Sequence, residues 1–137
     1  MYSAGIGSGY YGSCDNITIN SGFVDAKSKF GAGIGSGYYG SCDNITINSG
    51  SVNAESWHSA GIGGGYYGSC NNITVNGGSV TASSARGTDI GGKNSGIIIN
   101  GGSVKASSVS SSPANAQGEV YCCTISNPPK KSNKDRW

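Results

Sequence analysis

A repeat of 28 residues constrains this chain more than any other feature. Tyr10, Tyr38 and Tyr66 are spaced by 28, and so are Cys14, Cys42 and Cys70. Three blocks align without gaps, from Ser3 to Phe30, from Gly31 to His58 and from Ser59 to Arg86. A fourth block is shorter. Ile90-Gly91-Gly92 repeats Ile62-Gly63-Gly64, and Ile97 to Val104 repeats Ile73 to Val80. Asn100 follows Asn76 by 24 positions, so four residues are missing from the Tyr-Tyr loop. A unit this small cannot bury its own apolar face, so copies must stack on one another.

Within each block the apolar period is two. Ile17 and Ile19 flank Thr18, Val24 and Ala26 flank Asp25, and Ala4 and Ile6 flank Gly5. Short alternating runs rich in β-branched residues read as strands. The Asn-Ser-Gly and Asn-Gly-Gly strings between them read as turns. No stretch has the length or residues of a helix. Each block is therefore one rung of three short strands. The chain is expected to be all-β, a right-handed parallel β-helix of about four rungs over residues 3–108. Residues 109–137 are expected to be an irregular tail or the start of a following domain, with Glu119 to Ser126 reading as a strand.

Stacking at a strand spacing of about 4.8 Å turns each repeated position into a column. The expected core columns are Ile6/Ile34/Ile62/Ile90, Ile17/Ile45/Ile73/Ile97, Ile19/Ile47/Val75/Ile99, Val24/Val52/Val80/Val104 and Ala26/Ala54/Ala82/Ala106. Asn20, Asn48, Asn76 and Asn100 form a turn column, in which stacked amides bond one another. Cys14, Cys42 and Cys70 are expected as a column of buried free thiols. In-register side chains point the same way, which does not suit a disulfide, and His58 is the only histidine available for a zinc site. Cys122 and Cys123 lie in the tail, with no role legible.

Composition excludes several classes. Charged residues are only 12% and the net charge is +2, with Lys130, Lys131, Lys134 and Arg136 in the tail. The repeats carry no basic footprint for nucleic acid. No apolar run is long enough for a membrane span. The first residues already belong to the repeat and have no features of a signal peptide. The expectation is an extracellular or cell-surface segment of a longer chain, against the alternative of an intracellular protein.

The strings Ala60-Gly-Ile-Gly-Gly-Gly65 and Asn72-Ile-Thr-Val-Asn-Gly-Gly-Ser-Val-Thr-Ala82 resemble Gly-rich repeats of large bacterial cell-surface proteins. They are also similar to rungs of right-handed β-helix carbohydrate-binding domains of clostridial surface proteins. The resemblance covers roughly residues 3–108. It implies binding of plant-wall polysaccharide and calcium, and it carries over no particular binding residue.

The candidate site residues are the pairs Tyr10-Tyr11, Tyr38-Tyr39 and Tyr66-Tyr67, each set between glycines. Stacked rungs would align them as aromatic columns along one edge. Sugars present apolar C–H faces to such rings. An extended polysaccharide advances per sugar by about one rung height, so it could meet an equivalent ring at each step. The competing expectation has one Tyr of each pair packed inward over Cys. Asp15 and Asp43, followed in the third rung by Asn71, are the candidate calcium ligands, against local turn bonding. No Ser/His/Asp set, acidic groove or phosphate loop is present, so a non-catalytic adhesin or polysaccharide-binding segment is expected, with the Tyr edge as its binding surface. A rival reading is a structural, filament-forming repeat protein that self-associates through an uncapped N-terminal rung.

Overall fold

The computed structural model describes residues 2–92, 96–106, 109–110 and 123–126, the last two segments by backbone pairing alone. The described residues form strands and turns with no helix. The first rung holds β1 (Ile6–Gly7), β2 (Ser13–Ile19) and β3 (Phe23–Ser28). The second holds β4 (Ile34–Gly35), β5 (Ser41–Ile47) and β6 (Ser51–Ser56). The third holds β7 (Ile62–Gly63), β8 (Ser69–Cys70), β9 (Asn72–Val75) and β10 (Ser79–Ser84). The fourth holds β11 (Ile90–Gly91), β12 (Gly96–Ile99) and β13 (Ser103–Ala106). The backbone of β14 (Val109–Ser110) then pairs with β11 and opens a further turn, and β15 (Cys123–Ser126) pairs antiparallel with β13.

These strands make three sheets, and every rung-to-rung pairing from β1 to β14 is parallel. The register is the repeat itself. Ile6 pairs with Ile34, Ile17 with Ile45, Ile19 with Ile47 and Val24 with Val52. The fold is a parallel β-solenoid, as the alternation and the period required. Its core is the expected set of columns. Ile34, Ile45, Ile47, Ile62 and Ile73 are fully buried, and Cys42 and Cys70 lie among them. Full burial of one such Ile contributes roughly 1.5–3 kcal/mol. The end rung is looser, because Cys14, Ile17 and Val24 are only partly buried and Ile6 is 37% exposed.

Two local devices shape the rungs. Gly35 sits at φ 139°, and a Cβ there would run into the carbonyl oxygen of Gly63 one rung on. Only glycine allows the Ile-Gly strands to stack so closely. Asn16 and Asn44 adopt φ 55° and 56° inside β2 and β5. A left-handed residue resets the two-residue alternation, and Asn tolerates that conformation best after Gly. That is why Cys14 and Ile17, three positions apart, both face the core.

Asparagine ladders run up the outside. Asn48 donates to Asn20 at 2.8 Å, Asn76 to Asn48 at 2.8 Å and Asn100 to Asn76 at 2.7 Å. A second ladder joins Asn44 to Asn16 and Asn72 to Asn44. Lys27 and Glu55 are in register, yet they form no ion pair, and Asn53 donates to the Glu55 carboxylate.

Candidate functional site

Each Tyr pair occupies the two central positions of a four-residue turn. Gly12 N–H donates to Gly9 at 2.9 Å, Gly40 to Gly37 at 2.9 Å and Gly68 to Gly65 at 2.8 Å. The second Tyr of each turn, Tyr11, Tyr39 and Tyr67, has φ of 59°, 58° and 58°. Glycine or asparagine is the usual residue at such a position, and a bulky side chain there costs roughly 1–2 kcal/mol. Successive turns are tied by backbone bonds, Tyr11 N–H to Tyr38 and Tyr39 N–H to Tyr66, both at 2.9 Å. Buried serines brace them from within. The Ser8 hydroxyl accepts from Gly37 N–H at 3.0 Å, and Ser36 accepts from Gly65 N–H at 2.8 Å.

The rings therefore stack as columns on the outside. Tyr10 and Tyr38 lie 5.6 Å apart at 12°, and Tyr38 and Tyr66 lie 5.7 Å apart at 7°. Tyr11 and Tyr39 lie 5.0 Å apart at 3°, and Tyr39 and Tyr67 lie 5.0 Å apart at 18°. The alternative, one Tyr of each pair packed inward over cysteine, does not occur. Tyr11 and Tyr67 are each 65% exposed, Tyr10 is 53% exposed, and Tyr38 is half-buried between its neighbours. The left-handed turn explains this, because it swings the second ring out of the rung. Packing and the surrounding phenols push the Tyr38 hydroxyl above its ordinary pKa, and a hydrogen bond with Tyr67 does the same for Tyr66. Both phenols stay neutral and present O–H donors at ordinary pH.

A third column borders these two and escaped sequence reasoning. Tyr2, Phe30, His58 and Arg86 are also spaced by 28, at the seams between blocks. Tyr2 stacks on Phe30 at 5.2 Å, and Phe30 lies parallel to His58 at 4.5 Å. Tyr38 N–H donates to Tyr2 at 2.8 Å and Tyr66 N–H to Phe30 at 3.0 Å, which fixes the third column beside the first. Tyr2 consequently meets both Tyr10 and Tyr38, at 5.4 and 5.2 Å. The result is a continuous aromatic face three columns wide. The signal that could have found it was the 28-residue spacing of four unlike residues.

The candidate calcium ligands Asp15 and Asp43 stack in register on β2 and β5. Asn71 Nδ2 donates to the Asp43 carboxylate across the rung. No group of three or more His, Cys, Asp or Glu side chains fit to hold a metal exists among the described residues. The bonding at Asp43 is local amide-to-carboxylate pairing. In the cysteine column, Cys14 Sγ lies 3.0 Å from Cys42 Sγ, and Cys14, Cys42 and Cys70 form no disulfide. Burial, then the bond to Cys42, pushes the Cys14 thiol up to about 12. The bond to Cys70, then burial, raises Cys42 further. Cys122 and the Cys123 side chain lie outside the described residues.

Three stretches of the chain, residues 17–38, 45–66 and 97–116, match the family described as "Beta helix repeat". The first two each run from the Ile17/Ile45 core position through to the first Tyr of the next rung. The chain therefore carries beta-helix repeats, in agreement with its sheet order. No curated protein and no solved structure matches it.

Proposed function

We propose that this array of beta-helix repeats is a non-catalytic, extracellular or cell-surface segment that binds a polysaccharide along its aromatic face. The observation that carries the reading is the pair of exposed Tyr columns. Their rings repeat every 5.0–5.7 Å along the solenoid axis and lie nearly parallel. A glycan laid along that axis meets an equivalent ring at each rung, and the neutral phenols offer hydrogen bonds to its hydroxyls. The strained backbone at Tyr11, Tyr39 and Tyr67 supports it further. Strain repeated at exposed positions points to a use for the side chain beyond folding.

Binding to a panel of immobilised polysaccharides, with and without calcium, tests the proposal. The triple change of Tyr10, Tyr38 and Tyr66 to Ala should abolish binding while the far-UV spectrum stays that of strands. Retained binding in that variant would reassign the surface. Calcium enters as one arm of the same panel, through Asp15 and Asp43.

A second reading is self-association, favoured by the open first rung. Ile6 is 37% exposed where Ile34 is fully buried, and the outer edges of β1, β2 and β3 have no strand partner among the described residues. As a 137-residue polypeptide, the chain would cover that edge with a second copy, as a dimer or, end to end, as a filament. Sedimentation and electron microscopy over a range of concentrations distinguish this reading, and a strictly monomeric species throughout would remove it.

A further inference from the structure

The third column changes chemistry along the axis while its neighbours do not. In the Tyr10/Tyr38/Tyr66 column the same residue recurs at every rung. Beside it, the column runs through the rings of Tyr2, Phe30 and His58 to the guanidinium of Arg86. The backbone ladder continues through these seams. His58 N–H donates to Lys29 at 2.9 Å and Arg86 N–H to Trp57 at 2.9 Å, so Lys29 and Trp57 stack on one line and Phe30, His58 and Arg86 on the next. Lys29 Nζ lies 5.9 Å from the Phe30 ring. Trp57 is 52% exposed, and with Ser28 and Lys29 it lines an open depression of about 320 Å³. The aromatic face therefore ends in a corner that combines a Trp platform with two exposed cations and a histidine.

The charges that act on His58 have one sign. Packing, then the Arg86 and Lys29 charges, holds the His58 pKa below the ordinary histidine value. The other groups against it are the Phe30 ring, the Trp57 indole and the Tyr66 phenol, none of them anionic at neutral pH. The nearby Glu55 carboxylate on β6 is bonded to Asn53. Two exposed cations, Lys29 and Arg86, beside a ring suited to a sugar face are complementary to an anion carried on a sugar.

We propose that Lys29, Trp57, His58 and Arg86 form a subsite for the anionic group of an acidic polysaccharide whose neighbouring sugars stack on the Tyr columns. This rests on the glycan reading above and adds the ligand's charge and the direction in which it lies. The anion is bound by side chains, with no bridging metal. His58 is mostly neutral at pH 7.5 and gains a proton as the pH falls. A bound anion favours that proton, so affinity for an acidic chain rises as the pH falls, whereas affinity for a neutral chain does not.

The test uses three probes with EDTA present: a polyuronate, a sulfated galactan and a neutral galactan, each titrated calorimetrically. The expected result is at least about tenfold tighter binding of an acidic probe than of the neutral one at low salt, with the preference shrinking as salt screens it. Lys29→Gln with Arg86→Gln should remove the preference and leave neutral galactan binding in place. Proton NMR of the His58 ring should show its pKa rising on addition of the acidic probe, which lost packing alone would not produce. Preference for the uronate or for the sulfate assigns the anion. Equal binding of all three, or a preference that survives the double change, overturns the subsite while the glycan reading stands. No binding of any probe overturns both.

Discussion

The rings of Tyr11 and Tyr39 lie 5.0 Å apart and 3° from parallel, and both spring from backbone in the left-handed region. The two facts are linked. The stack exists because each turn places its second residue where L side chains are disfavoured. Glycine would relieve that position, but it has no ring to stack. Replacing Tyr39 by Gly and by Ala therefore separates backbone from side chain. Both variants lose the ring, and Ala keeps the left-handed penalty. The Gly variant should be the more stable of the two by about 1 kcal/mol in urea denaturation. An Ala variant as stable as the Gly variant would mean that Tyr39 carries no such strain.

The two Tyr columns should contribute to binding in a graded way. Stacked aromatic contacts are worth roughly 0.5–1.5 kcal/mol each beyond area burial. Single changes at Tyr11, Tyr39 or Tyr67 to Ala should weaken glycan binding by roughly two- to tenfold. The triple change should weaken it more than any single one. Calorimetry on the single and triple variants reads this directly, and flat affinities across the series would remove the face from the site.

Position within the stack should set the cost of core changes. Ile45 is fully buried between rungs, whereas Ile17 is only partly buried at the end. Ile45→Ala is expected to cost about 2–5 kcal/mol, and Ile17→Ala distinctly less. Denaturant midpoints of the two variants check the order. Equal costs would imply that the first rung is covered in solution, as the self-association reading requires.

The asparagine ladder predicts a chemical asymmetry. Asn48 donates to Asn20 and accepts from Asn76. Asn48→Asp keeps the acceptor and loses the donor, and it sets an anion against the Asn20 carbonyl oxygen. A loss of about 1 kcal/mol is expected above pH 5, recovered in part as the new carboxyl protonates at lower pH. A pH series of melting temperatures for the wild-type and variant chains measures it.

The thiol column should be inert, and Cys14 and Cys42 should prefer their neutral form. The Cys14 thiol is moved from its ordinary 9.0 up to about 12, mainly by burial. Native Cys14, Cys42 and Cys70 should resist alkylation at pH 8 and react fully once unfolded. Because the folded-state pKa is raised, this contribution to stability is complete below about pH 9 and is lost as the pH climbs toward 12. Rapid native-state alkylation at pH 8 would contradict the burial.

The register of the solenoid was fixed by sequence alone. A strict 28-residue translation stacks Ile17 on Ile45 and Val24 on Val52, and two-residue alternation decides which side chains turn inward. The same translation placed Tyr10 over Tyr38 and Asn20 under Asn48. Tertiary structure decided three further things. Tyr11 points outward because its φ is positive, and nothing in the local sequence marks a tyrosine for that region. Cys14 and Ile17 share the core because Asn16 breaks the alternation that the residue pattern implies. Tyr2 joins Tyr38 because a backbone bond crosses between turns of different rungs. Periodicity reports what recurs along the chain. The sign of a dihedral angle and the meeting of two corners depend on how successive rungs bond to one another, and only the folded stack sets that.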